Sequence, residues 1–245
     1  MTKRIISPVL GLALGTALLF TFMAGPANAA SKVPVQLRVV TYQGKVLADK
    51  TIKTGTSKVK TSNQATCLGG SPTNGSKTVE GPTALGLLND ASSSIKSLRP
   101  LQVSNAFDFG LGLCGVGSSV AQNEEWWVLK YDHTDSFVGG EGQVVKKGGT
   151  VLWYLAQSYN EATPNELFLK APAKVKKKKS FKVRVFEYNG KGKRKPVKGA
   201  RISGTSAALT NAKGYTRVKL KKKTNLLARY SGTIPSNRAT IKIKK

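Results

Sequence analysis

The sequence predicts an α+β domain built around one main helix, followed by an all-β immunoglobulin-like sandwich. Three observations carry this. One segment alone has a strong helical period: Ala84, Leu87, Leu88 and Ala91 fall at i, i+3, i+4 and i+7. Residues 165–245 read as roughly five to seven short strands with regular turn signals, the pattern of a sandwich. Charge is divided unevenly. Residues 31–164 hold 13 Lys and Arg against 10 Asp and Glu, a net of +3, whereas residues 165–245 hold 25 against Glu166 and Glu187, a net of +23. Such asymmetry argues for two units with different surfaces.

Residues 1–29 read as a secretory signal. Lys3 and Arg4 give a basic start, an apolar run follows from Val9 to Met23, and Ala27-Asn28-Ala29 is a small-x-small cleavage pattern. The run is too short for a membrane anchor, and no cysteine follows it to carry a lipid. The mature chain is expected to be secreted, with no membrane span. Cys67 and Cys114 in such a chain predict a disulfide. It would close a loop of about fifty residues, worth on the order of 3–4 kcal/mol in the chain-entropy model. Two buried thiols are the alternative. No metal is expected, since two Cys and one His cannot supply the four ligands of a structural zinc site.

Along the first domain, 33–158, Val33, Val35, Leu37 and Val39 share one parity. Gln43-Gly44 is a turn candidate and Val46 begins a second run, so the domain opens on a hairpin. Residues 60–81 are rich in Gly, Ser, Thr and Asn and read as a loop tied down at Cys67. Pro82 suits the first turn of the helix that follows. Residues 101–119 read as a strand and an irregular glycine-rich loop. In 150–156 both parities are apolar: Val151, Trp153 and Leu155 on one, Leu152, Tyr154 and Ala156 on the other. This strand is expected to be buried on both faces, one of them under the helix. Two prolines and a composition shift mark the boundary before the second domain, 165–245. There Phe181, Val183 and Val185 alternate with Lys182, Arg184 and Phe186, and Asn211 to Gly214 is a turn.

Several of these segments carry a resemblance. "VQLRVV", "TCLGG", "PTALGLLNDA", "GLCGVG", "EWWVLKY" and "VVKKGGTVLWYLA", spread over about 35–157, resemble a family of exported bacterial domains of unassigned function that is similar to the C-terminal domain of transcobalamin. The resemblance implies a compact, β-grasp-like α+β domain. It implies paired cysteines and favours Trp127 as the core member of the tryptophan pair. In the family the tryptophan strand runs into an Asn-Gly turn, which Tyr131, Asp132 and His133 replace here. "PVKGARISG" and "ALTNAKGY" resemble short bacterial immunoglobulin-like modules. No catalytic residue or cofactor comes with either resemblance.

The residues point away from an enzyme. Glu124 and Glu125 are neighbours, and in a strand they face opposite ways, so they cannot flank one glycosidic bond. His133, the chain's one histidine, has acidic neighbours but no Gly-x-Ser-x-Gly elbow to present a nucleophile. No phosphate loop, dinucleotide fingerprint or metal motif appears.

Binding is the expectation that remains. Trp126 and Trp127 alternate faces, so one enters the core and the other needs a partner. Trp126, Asp132, His133 and Phe137 are the candidate residues for a small ligand, a sugar or a corrinoid-like ring. The runs "KVKKKK", "KGKRK" and "KLKKK" supply the candidate polyanion contacts Lys176, Lys178, Lys193, Arg194, Lys221 and Lys222. Outside a cell the matching partners are anionic wall polymers and acidic glycans, with strong salt dependence. Nucleic acid would bind without sequence preference. The bland alternative is that the lysines only keep strand edges soluble.

Overall fold

The computed structural model describes residues 31–244, and the signal segment lies outside the described residues. The chain is mostly strand, in several sheets, with one α-helix among the described residues. In the first half the elements are β1 (Val33–Val40), β2 (Val46–Thr54), β3 (Ser57–Thr61), β4 (Gly75–Val79) and α1 (Ala84–Ser94). There follow β5 (Leu101–Phe107), β6 (Gly110–Val116), β7 (Ser119–Val120), β8 (Trp126–Tyr131), β9 (Thr134–Asp135) and β10 (Thr150–Ala156). One sheet has the order β2-β1-β10-β8-β9, with β1 and β10 parallel and the other pairs antiparallel. β3 with β4, and β5 with β6 and β7, form two smaller sheets.

Local chemistry sets these elements. Gly44 (φ 74°) closes the β1–β2 turn, its N–H donating to the Thr41 carbonyl at 2.8 Å. The Thr83 hydroxyl caps α1 by accepting from the Gly86 N–H at 3.1 Å. Pro82 therefore lies just ahead of the cap rather than inside the first turn. Ala84, Leu87, Leu88 and Ala91 all face inward, onto Val35, Leu37, Val39, Trp127, Val151, Trp153 and Leu155. Cys67 and Cys114 form a disulfide across a separation of 47 residues. Reducing it is expected to lower the unfolding free energy by about 3–4 kcal/mol. Calorimetry with and without reductant measures this; identical transitions would contradict it.

Two stretches are more regular than their sequence suggests. Residues 60–81 include the end of β3 and all of β4. β4 reads Gly-Ser-Lys-Thr-Val with only Val79 buried, so it lacks the alternation that announces a strand. The glycine-rich 101–116 segment is a hairpin of two seven-residue strands.

The second half contains β11 (Asn165–Lys170), β12 (Lys174–Lys176), β13 (Ser180–Tyr188), β14 (Arg194–Pro196), β15 (Arg201–Ser203), β16 (Tyr215–Lys219), β17 (Thr224–Arg229), β18 (Thr233–Ile234) and β19 (Ala239–Lys244). There are more strands than the turn signals suggest, because several are only two or three residues long. They form two sheets, β14-β13-β11-β18 with β16 also on β13, and β12-β19-β17-β15. Leu167, Leu169, Val183 and Val185 from the first meet Ile202, Leu226, Ala228 and Ile241 from the second.

A further apolar cluster joins the halves. Val40, Val128, Leu152, Tyr154 and Ala156, on the face of the first sheet away from α1, pack with Ile234 of β18. β10 is thus buried on both faces, under the helix on one and under the second half on the other.

Candidate functional site

Three places hold the candidate residues: the junction between the halves, an apolar groove beside β8, and a lysine-rich end of the second half.

The junction is built by the β8–β9 turn. Asp132 (φ 45°) and His133 (φ 69°) both take left-handed backbone conformations, as the two central residues of a tight hairpin turn must. The Asp132 carboxylate steadies the turn, accepting from the Thr150 N–H at 2.8 Å and from its hydroxyl at 3.2 Å. The turn drives His133 into the second half, where its ring stacks on Tyr188 at 3.9 Å and meets the edge of Phe168 at 5.6 Å. His133 Nδ1 donates to Glu166 Oε1 at 3.0 Å. β9 continues the contact, with Asp135 N–H donating to the Gly190 carbonyl at 2.8 Å. A Cβ on Gly190 would lie 2.1 Å from the Asp135 carboxylate, so a larger residue there would displace that carboxylate.

Glu166 also pairs with Arg38, whose guanidinium donates to the Pro235 carbonyl at 3.0 Å and the Leu167 carbonyl at 3.3 Å. Both charged side chains are nearly inaccessible to solvent. Burial pushes the Glu166 carboxyl up, but the Arg38 charge and the His133 hydrogen bond outweigh it and hold the carboxyl below the usual carboxylate range. Lys130, 1% exposed, is paired with Asp135 beside them. Arg38, Lys130, His133 and Glu166 line a cavity of about 210 Å³ between the halves.

The four residues expected to take a small ligand therefore do not form one site. Asp132 and His133 are consumed by the turn and the junction, not presented by an open loop. Trp126 and Phe137 instead line a groove of about 630 Å³ that lies between β8 and β6. Phe137 is 97% exposed, and Phe109 stacks on Phe107 at 4.9 Å. Trp127 is the core tryptophan, at 6% exposure, while Trp126 is half-buried against the joining cluster. Glu124 and Glu125 precede β8 in structural roles: Glu124 accepts from the Ser158 hydroxyl of the segment after β10, and Glu125 closes a turn by accepting from the Gln122 N–H.

The candidate polyanion contacts also divide. Lys178 N–H donates to the Leu220 carbonyl at 2.9 Å, Ser180 pairs with Lys219, and β12 pairs with β19 in parallel. The runs at 174–179 and 219–223 thereby meet at one end, together with Lys242 and Lys244. Lys176, Lys178, Lys221 and Lys222 all lie there, exposed. Lys193 and Arg194 sit at the opposite end of β13, roughly 25 Å away at ~3.3 Å per residue. The Arg194 guanidinium is stacked 4.4 Å over Phe186, so it is partly committed to the fold.

Sequence reading missed the registry of these cations. Lys174 faces Lys242, Lys176 faces Lys244, Lys182 faces Arg217 and Arg201 faces Arg229 across neighbouring strands. All eight are exposed. Like charges facing each other across strands oppose folding, on the order of 0.2–1 kcal/mol per pair. The two acids of this half lie elsewhere, Glu166 with Arg38 and Glu187 with Lys195. Among the described residues, no group of three or more His, Cys, Asp or Glu side chains gathers as for a metal ion, and no helix is long and apolar enough to cross a membrane. Compared with protein-family models and with curated proteins, the chain matches none.

Proposed function

We propose that this is a secreted, non-catalytic binding protein, associated with the cell envelope, whose lysine-rich end holds an anionic polymer such as a wall polymer or acidic glycan. In this reading the first half is a β-grasp-like scaffold and the second an immunoglobulin-like module carrying the binding end. The observation that carries it is the ladder of like charges Lys174/Lys242 and Lys176/Lys244. Edge protection accounts for lysines on β12, which is an edge strand. β17 covers β19 only over residues 239–241, so Lys242 and Lys244 also border an open edge, but edge protection does not require cations to face one another across two paired strands at a cost in stability. A polymer with repeated negative charge relieves the repulsion on both strands at once.

The test is retention on linear poly(glycerol phosphate) at rising salt. Binding is expected to be strong at low ionic strength and to fall steeply as salt screens and displaces the contacts. Retention indifferent to salt would overturn the reading.

A further inference from the structure

We infer that the groove beside β8 accepts an extended peptide segment with alternating apolar side chains, which adds to the sheet as a strand along the open edge at residues 126–128. The inference is independent of the polyanion reading. It starts from the ladder. β8 is hydrogen-bonded to β10 along its whole length, but β9 covers only Lys130 and Tyr131 on the other side. The parity of the backbone groups follows from two bonds. Asp132 N–H donates to the Thr150 carbonyl, toward β10, and the Leu129 carbonyl accepts from Ser136 N–H, away from it. Alternation then turns the N–H and carbonyl of Trp127 away from β10 as well. No other backbone bond among the described residues takes them up. These groups face the groove that Trp127 lines, where an added strand can pair with them.

The walls fit the same occupant. The groove runs between this edge and β6, which β7 covers only at Gly115 and Val116. Gly112 and Leu113 of β6 line it without a neighbouring strand on that side. Phe109, Phe137 and Val138 stand exposed at its rim, more apolar surface in one place than a solvated rim needs. Main-chain bonds to an open edge, with side chains taken alternately into apolar surroundings, are the chemistry of strand addition. A sugar or a phosphate polymer offers no row of alternating N–H and carbonyl groups, and the groove carries no unpaired cation.

The probe is a heptapeptide, Thr-Val-Thr-Val-Thr-Val-Thr, with both termini blocked and an uncharged boron-dipyrromethene dye, added to the full chain and followed by anisotropy. A neutral peptide leaves the lysine-rich end out of the measurement. Saturable binding is expected, with new hydrogen-exchange protection of the Trp127 amide. Phe137→Ser is expected to weaken binding by about tenfold, as loss of a buried aromatic contact implies; at 97% exposure this substitution leaves the fold intact. The same peptide N-methylated at alternate amides should not bind. Four results would overturn the inference: no saturable binding, equal binding of the methylated peptide, an unprotected Trp127 amide in the complex, or an edge already occupied by a second copy of this chain in sedimentation.

Discussion

Replacing Glu166 by glutamine is expected to lower the unfolding free energy by about 3–5 kcal/mol, the cost of leaving one partner of a buried ion pair uncompensated. The substitution keeps the shape of the side chain but removes its charge, leaving the buried Arg38 guanidinium with neutral acceptors only, the glutamine amide oxygen and the Leu167 and Pro235 carbonyls. The same change weakens the hold on His133. Denaturant unfolding measures it as a lower midpoint at unchanged slope. The double substitution Arg38→Met with Glu166→Leu should recover most of the loss, because it removes both charges together. Acid should imitate the single substitution. The Glu166 carboxyl is held below its ordinary range, so its contribution is full above that range and is lost as pH falls through the lowered value. A Glu166→Gln protein as stable as the original would show that the pair does not hold the halves together.

Trp127→Ala is expected to cost about 3–5 kcal/mol, and Trp126→Ala clearly less. The difference is one of surroundings. Trp127 fills the core under α1 with Trp153 and Leu155, whereas Trp126 is half-buried at the margin of the joining cluster. Paired thermal denaturations of the two variants check the order. Equal losses would mean that the two faces of β8 are packed alike. The indole N–H groups of both tryptophans are buried without a hydrogen-bond partner, so phenylalanine is expected to be tolerated better than alanine at either position.

How much of this was legible depends on the range over which each signal acts. The helix was, because Ala84 to Ala91 repeat its period within three turns. So was the double burial of β10, from apolar residues on both parities; what covers its second face was not, since Ile234 lies far along the chain. Arg38 and Lys130 read as ordinary polar positions in strands, and only the docking of the two halves buries them. His133 looked like a loop residue because Asp132 and His133 lack the glycine that usually marks a tight hairpin. The cations were visible as runs, but their registry was not. It is set by β12 pairing in parallel with β19, a long-range contact that composition does not encode. The open edge of β8 was hidden for the same reason, since an edge is defined by the strand that is missing.

The most direct test of the polyanion surface is one protein carrying Lys174→Gln, Lys176→Gln, Lys242→Gln and Lys244→Gln, with binding to poly(glycerol phosphate) and unfolding temperature measured together. The account predicts much weaker binding, with a salt slope shallower by roughly 3 at ~0.7 per phosphate contact on a single-stranded polyanion. It also predicts an unfolding temperature equal to or above the original, because two like-charge pairs are gone. Unchanged binding and salt slope would contradict it.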